Sequence, residues 1–140
     1  MVDREVFDRR LSRLEEVLRD LRRLARTDRG QFLTDRALQA QAERWLYLAA
    51  ECALDLAHHL ISGRGWKTPA TYREAFQVLQ SEAVLDEELG HSMQQWAGLR
   101  KVLAHLYLDV DHERLHAVLT DDLDSLTHFA AALQSELDRA

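Results

Sequence analysis

The stretch DRALQAQAERWLYLAAECALDLAHHLI, residues 35–61, decides the fold class of this chain. Its apolar side chains recur every three or four residues and cover a face wide enough for the central helix of a bundle. These side chains are Leu38, Ala42, Trp45, Leu46, Ala49, Ala53, Leu56, Ala57, Leu60 and Ile61. The pattern predicts one long helix that stops at Ser62 and Gly63, with the other helices packed around it.

Four more amphipathic segments lie on either side of this helix, and the same spacing predicts that each is helical. They cover about residues 3–28, 72–81, a stretch beginning near 86, and 112–137. We expect Gly30 to close the first, Thr71 and Glu74 to form a capping box at the short one, and Asp111 to cap the last. The fold predicted for residues 1–140 is a single all-α domain, an up-and-down bundle of four long helices plus one short helix.

The composition fits one helical domain and excludes several classes of protein. Apolar residues make up 46% of the 140 positions, and there are only one Pro and five Gly. No run reaches the roughly 18 apolar residues of a membrane span, and the N-terminus is charged, so we expect a cytoplasmic protein with no membrane contact. The lone Cys52 has no disulfide partner in the chain, and we expect a buried, unreactive thiol.

The formal net charge of −6 counts against a general nucleic-acid coat protein, because phosphate binding depends on basic residues. The first 29 residues nevertheless carry nine arginines against seven acids. These arginines are Arg4, Arg9, Arg10, Arg13, Arg19, Arg22, Arg23, Arg26 and Arg29. A solvated helix face with internal ion pairs is the favoured interpretation, and a phosphate-facing stripe is the alternative.

Metal-ligand patterns are incomplete in this sequence. Glu88 and His91 have the i, i+3 spacing of helical di-iron ligands, but the nearest second match pairs an Asp, residue 55, with His58. His112 and His116 share a helix face at i, i+4 with Glu113 between them, but this HExxH spacing supplies only two of the ligands that a metal site needs. We therefore predict no metal site and no cofactor.

The string RKVLAHLY, residues 100–107, places Arg100, His105 and Tyr107 in an otherwise apolar helix. By spacing alone these three side chains could simply lie at the rim of a helical stripe. Three other strings precede it in order, RALQAQAERWLYLAAECALDLAHHLIS (36–62), TPATYREAFQVL (68–79) and VLDEEL (84–89). Together they resemble the HepT-like branch of the HEPN superfamily, small all-helical ribonuclease toxins, over about the last three quarters of the chain.

This resemblance implies an endoribonuclease that cuts RNA without a metal ion. His105 would move a proton near neutral pH, and Arg100 would stabilise the charge on the phosphorane. Lys101, where relatives often carry Asn, could add a cation or mark a weakened site, and Leu106 replaces a residue that is often acidic. Glu51 is an ionisable group on an apolar helix face, and we expect it to be paired, with Arg100 as the candidate partner.

On a regular helix, His105 lies about 140° around and about 7.5 Å along from Arg100, whereas Tyr107 shares the face of Arg100. Either the helix bends or ends near these residues, or a second chain completes the site, and the resemblance favours a homodimer. It also implies that a partner minimal nucleotidyltransferase, the cognate antitoxin, transfers adenylyl groups to Tyr107. The alternative function is a helical adaptor that binds a nucleotidyltransferase or a nucleotide without cleaving RNA.

Overall fold

The computed structural model describes residues 1–105 and 109–139, and this part of the chain contains seven helices and no strand. The helices are α1 (Arg4–Leu24), α2 (Arg29–Thr34), α3 (Arg36–Arg64), α4 (Tyr72–Ser81), α5 (Glu87–Ala104), α6 (His112–Asp121) and α7 (Leu123–Asp138). The all-α prediction is confirmed. None of the described helices combines the length and the apolar character that a membrane crossing requires.

Helix α3 is the centre of the molecule, as its broad apolar face predicted. It packs against each of the six other described helices. Its fully buried side chains lie on one broad face of the helix, and they include Ala42, Leu46, Ala49, Leu56 and Leu60. A polar group at the edge of that face needs a partner on a neighbouring helix.

Short polar side chains begin most of the helices. Asp35 accepts hydrogen bonds from two backbone N–H groups of α3, and Asp111 accepts one from the N–H of Arg114. The hydroxyl of Thr71 accepts the N–H of Glu74 at 3.1 Å. The predicted caps at Thr71 and Asp111 are therefore confirmed. The side chain that was expected to complete the capping box, Glu74, has its carboxylate 3.5 Å from the ammonium of Lys67.

The first two predicted helix ends are wrong. Helix α1 ends at Leu24, and Gly30 lies inside the short helix α2. Asp28 starts this extra helix by accepting the N–H of Gln31, and the ring of Phe32 is fully buried beneath it. Helix α3 runs past Gly63 and ends at Gly65, whose φ of 68° is the left-handed conformation that closes many helices.

The prediction of one continuous last helix is also wrong, because the helix is interrupted at Asp122. The carbonyl of Asp122 accepts the hydroxyl of Ser125 at 2.6 Å, and that hydroxyl in turn accepts the indole N–H of Trp96 at 2.8 Å. A side chain from α5 thus helps hold the break between α6 and α7. The predicted bundle of four long helices plus one short helix becomes seven helices.

Candidate active site

Arg100 projects from the last part of α5 toward α3. Its Nε donates a short hydrogen bond to Oε1 of Glu51, so the two side chains form an ion pair. The side chain of Arg100 is 19% exposed and that of Glu51 is 33% exposed. The contact that the sequence suggested between these residues is present, and it lies at the edge of the core rather than in open solvent.

Two tyrosines surround the same guanidinium, and the sequence interpretation missed both. The hydroxyl of Tyr47 lies 3.5 Å from Nη2 of Arg100, a long contact. The guanidinium carbon is 4.5 Å from the ring centroid of Tyr72 and 5.5 Å from that of Tyr47. Arg100 is therefore held in its plane by Glu51 and on its face by an aromatic ring.

The positions of these partners follow from the helices that carry them. Tyr47 and Glu51 are four residues apart on α3, so they share one face of that helix. Tyr72 is the first residue of α4 and directly follows the capping Thr71. The i, i+4 spacing could have linked Tyr47 to Glu51, but only the packing of α4 brings Tyr72 to Arg100.

Arg100, Glu51, Tyr47 and Tyr72 form one cluster, and its electrostatics keep Arg100 charged. Desolvation by itself lowers the pKa of Arg100, but the hydrogen bond and the negative charge of Glu51 oppose this effect. With smaller contributions from Tyr47 and Tyr72, they raise the pKa of Arg100 above its ordinary value. The site thus contains a permanently cationic group with a fixed orientation.

His105 lies where α5 ends. It is the C-cap residue, its backbone N–H donates to the carbonyl of Val102 at 3.1 Å, and its side chain is exposed. Within one chain, the spacing of Arg100 and His105 required a helix that either bends or ends near them. The structure shows a helix that ends there. No hydrogen bond joins His105 to Arg100 within the described residues.

The remaining predicted site residues differ in how they are placed. Lys101 is exposed in the last turn of α5. Tyr107 and Leu106 lie outside the described residues.

The histidines considered as metal ligands have other neighbours. His112 lies 3.4 Å from a carboxylate oxygen of Glu43, and its ring meets that of Phe32 edge-on, with 6.5 Å between centroids. His91 contacts Gln95 in the next turn of α5. Over residues 1–105 and 109–139 there is no group of three or more His, Cys, Asp or Glu side chains arranged to hold a metal ion.

The arginine-rich helix α1 is largely neutralised by carboxylates. Six of the nine arginines among the first 29 residues form ion pairs within the described residues, with partners on α1, α6 and α7. These six are Arg4, Arg9, Arg13, Arg22, Arg23 and Arg29. The ion-paired face, rather than a phosphate-facing stripe, is the interpretation that these contacts support.

Two further features lie apart from Arg100. Cys52 is half-buried, and burial, aided by the charge of Asp55, raises the pKa of its thiol, which favours the unreactive protonated form. An open groove of about 690 Å³ runs between α5, α6 and α7, and Arg114, Asp122 and His128 contribute to its lining. Neither Arg100 nor Glu51 lines this groove.

Comparisons with known proteins match most of the chain. A family model described as Ribonuclease HepT-like matches residues 14–133. The mRNA nuclease HepT of Shewanella oneidensis is 21% identical over 128 residues, which cover 90% of this chain and 96% of that protein. The tRNA nuclease HepT of Aphanizomenon flos-aquae is 25% identical over 132 residues, which cover 94% of this chain and 90% of that protein.

Bacillus subtilis YutE is 27% identical over 92 residues, which cover 66% of this chain and 64% of YutE, less than two thirds of that relative. The solved structure of YutE, described as a cytosolic protein of unknown function, has a TM-score of 0.85 at 24% identity and covers 99% of this chain and 92% of its own. The structure of the tri-AMPylated Shewanella oneidensis HEPN toxin in complex with MNT antitoxin has a TM-score of 0.86 at 19% identity. The match covers 96% of this chain and 99% of the toxin chain. These two likenesses establish a shared fold.

Proposed function

The chain belongs to the ribonuclease HepT-like family, and from this we propose that it is the ribonuclease toxin of a toxin–antitoxin pair. In this proposal a homodimer in the cytoplasm cuts RNA through Arg100 and His105, without a metal ion. A partner minimal nucleotidyltransferase, the antitoxin, silences it by adenylylating Tyr107. The names of two relatives, an mRNA nuclease and a tRNA nuclease, and the structure of an AMPylated toxin with its antitoxin support this choice.

The observation that carries the proposal is the anchored guanidinium of Arg100. A guanidinium has five N–H donors, and Glu51 engages only the one on Nε. The Nη groups therefore keep donors for a phosphate, and Tyr47 makes only a long contact with one of them. Because Glu51 and Tyr72 fix the orientation beforehand, little reorganisation is needed when negative charge develops on the phosphorane.

The exposed imidazole of His105 suits the proton transfer. The 2′-hydroxyl of the substrate attacks the adjacent phosphorus while His105 accepts its proton, and the bond from phosphorus to the 5′-oxygen breaks. The departing 5′-oxygen takes up a proton, so the products are a 2′,3′-cyclic phosphate and a 5′-hydroxyl. In a homodimer, the same residues of a second chain would be available for this second proton transfer.

The adenylylation part of the proposal rests on the family resemblance and on the likeness to an AMPylated toxin, because Tyr107 lies outside the described residues. Transfer of an adenylyl group from ATP to the phenolic oxygen releases pyrophosphate and leaves a phosphodiester on the tyrosine. Its bulk and negative charge next to the phosphate site would repel RNA.

One observation favours the adaptor as the second candidate. Glu51 neutralises Arg100, so the cluster carries no net charge apart from the exposed Lys101 beside it. A carboxylate next to the phosphate site weakens anion binding, and the chain is acidic overall. An adaptor that keeps the fold and binds a nucleotidyltransferase or nucleotide would need no free phosphate site.

Cleavage of labelled total RNA by the purified, partner-free protein in EDTA decides between the two candidates. We expect fragments with 2′,3′-cyclic phosphate ends from the wild type and none from Arg100→Ala or His105→Ala. Arg19→Ala and His91→Ala, which remove an exposed arginine and an exposed histidine elsewhere, serve as controls and should cleave normally. A dimeric, unmodified wild type that leaves the RNA intact would overturn the ribonuclease and favour the adaptor.

A further inference from the structure

Tyr72 is unusual among the large side chains of this protein because it is 40% exposed although its ring contacts Arg100. One face of the ring lies over the guanidinium of Arg100, with 4.5 Å between the centroid and the guanidinium carbon. The 40% exposure leaves part of this tyrosine open to solvent beside the donors proposed to bind phosphate. No step of the proposed cleavage uses this surface.

The helix that carries Tyr72 keeps the ring in place. Tyr72 begins α4, and the hydroxyl of the preceding Thr71 accepts the N–H of Glu74 to close the first turn. The next turn of α4 is anchored in the core through Phe76, which is 1% exposed and packs edge-to-face on Phe129. The exposed ring therefore projects from a capped and buried helix, which lowers the entropy lost when a ligand binds it.

A second ring stands next to Tyr72. The imidazole of His58 lies 6.4 Å from the tyrosine ring, centroid to centroid, with 30° between the two planes. His58 is exposed and lies seven residues after Glu51 on α3, so both project from nearly the same face of that helix. The open side of the cluster thus presents two unsaturated rings beside one cation.

The charges at this site make an aromatic contact valuable for binding RNA. Glu51 balances the charge of Arg100, and the chain has a formal net charge of −6, so attraction of phosphate is weak. Stacking of a base on an aromatic side chain does not depend on net charge and is the usual way in which proteins hold single-stranded RNA.

We propose that Tyr72, flanked by His58, is the platform on which the RNA nucleobase next to the scissile phosphate stacks. This inference rests on the proposed ribonuclease function and adds the base-binding part of the same site. Arg100 then holds the phosphate and Tyr72 the adjoining base, so the substrate is single-stranded at that position. Duplex RNA, whose bases are stacked on one another, would be a poor substrate.

Binding of a short single-stranded oligonucleotide tests the platform without requiring cleavage. The probe is a 2′-fluoro RNA, which lacks the attacking hydroxyl, with 2-aminopurine as a fluorescent base, and a second probe is abasic at that position. We expect the wild type and Tyr72→Phe to quench the fluorescence on binding. We expect Tyr72→Leu, which covers Arg100 with an apolar but non-aromatic side chain, to lose the quench and roughly 10-fold or more in affinity.

The abasic probe distinguishes a platform from a residue that merely positions Arg100. A platform predicts that Tyr72→Leu loses more affinity for the base-containing probe than for the abasic probe, whereas Arg100→Ala weakens binding of both probes. Equal losses on both probes, or a normal quench with Tyr72→Leu, would overturn the platform. If the wild type fails to cut RNA but the quench still requires an aromatic ring at position 72, the platform stands and the ribonuclease proposal fails.

Discussion

Removing the ion pair between Glu51 and Arg100 should destabilise the fold by an amount that its burial sets. The two side chains are 33% and 19% exposed, so the pair lies between the exposed and the buried limits. Exposed pairs contribute about 0–1 kcal/mol, and breaking a fully buried pair costs about 3–5 kcal/mol. We therefore expect a coupling free energy of about 1–2 kcal/mol between Glu51 and Arg100.

A double-mutant cycle measures this coupling directly. Urea unfolding of the wild type, Glu51→Ala, Arg100→Ala and the double variant gives four free energies of unfolding, whose combination isolates the pair. The matched control is the pair of Arg13 and Glu16, which lies at 2.9 Å on the surface of α1 with side chains 50% and 57% exposed. Its coupling should stay below about 0.5 kcal/mol.

The same ion pair carries a functional prediction. Glu51→Gln keeps the shape of the side chain but removes its charge, so the hydrogen bond that orients Arg100 loses its ionic attraction. We expect RNA cleavage to fall roughly 100-fold, the scale of a small displacement of a catalytic group. A coupling no larger than that of the control pair, together with undiminished cleavage by Glu51→Gln, would refute the view that Glu51 positions Arg100.

Two further predictions concern stability. The carboxylate of Asp122 has its pKa raised above the ordinary 3.8 by desolvation and by the charge of Asp121, and its side chain caps no helix. A carboxyl group whose pKa is raised in the folded state lowers the stability of the fold as pH rises through that pKa. Asp122→Asn should therefore melt at a higher temperature than the wild type at pH 7, and the difference should vanish below about pH 3.8. An equal or lower melting temperature at pH 7 would contradict the raised pKa of Asp122. The ring of Phe129 is 0% exposed and its centroid lies 5.7 Å from that of Phe76. Phe129→Ala should lower the free energy of unfolding in urea by about 3–5 kcal/mol. The control, His128→Ala at the exposed neighbouring position, should change it by no more than about 0.5 kcal/mol.

The helical periodicity of the sequence predicted the fold class and the central helix, but it placed several helix ends wrongly. Gly30 was read as a stop because glycine often ends helices, yet Asp28 caps a new helix that contains it. The break at Asp122 interrupts an apolar repeat that continues through both α6 and α7. Periodicity cannot reveal such a break, because part of what holds it is the indole of Trp96, which comes from another helix.

The candidate site divides in a similar way. The sequence named Arg100, His105 and Glu51, since ionisable groups in an apolar pattern are conspicuous and the string resembled a known family. Tyr47 and Tyr72 escaped notice because an aromatic residue in a helix is usually part of the core.

By itself the sequence determined that the chain is helical, which faces are buried, and which ionisable groups needed partners, because each depends on residues only three or four positions apart. Only the tertiary structure decided which partners Arg100 has. Glu51 is 49 residues away along the chain and Tyr47 is 53. Such contacts depend on how α3, α4 and α5 pack against one another, and side-chain packing over the whole core, rather than local periodicity, sets that arrangement.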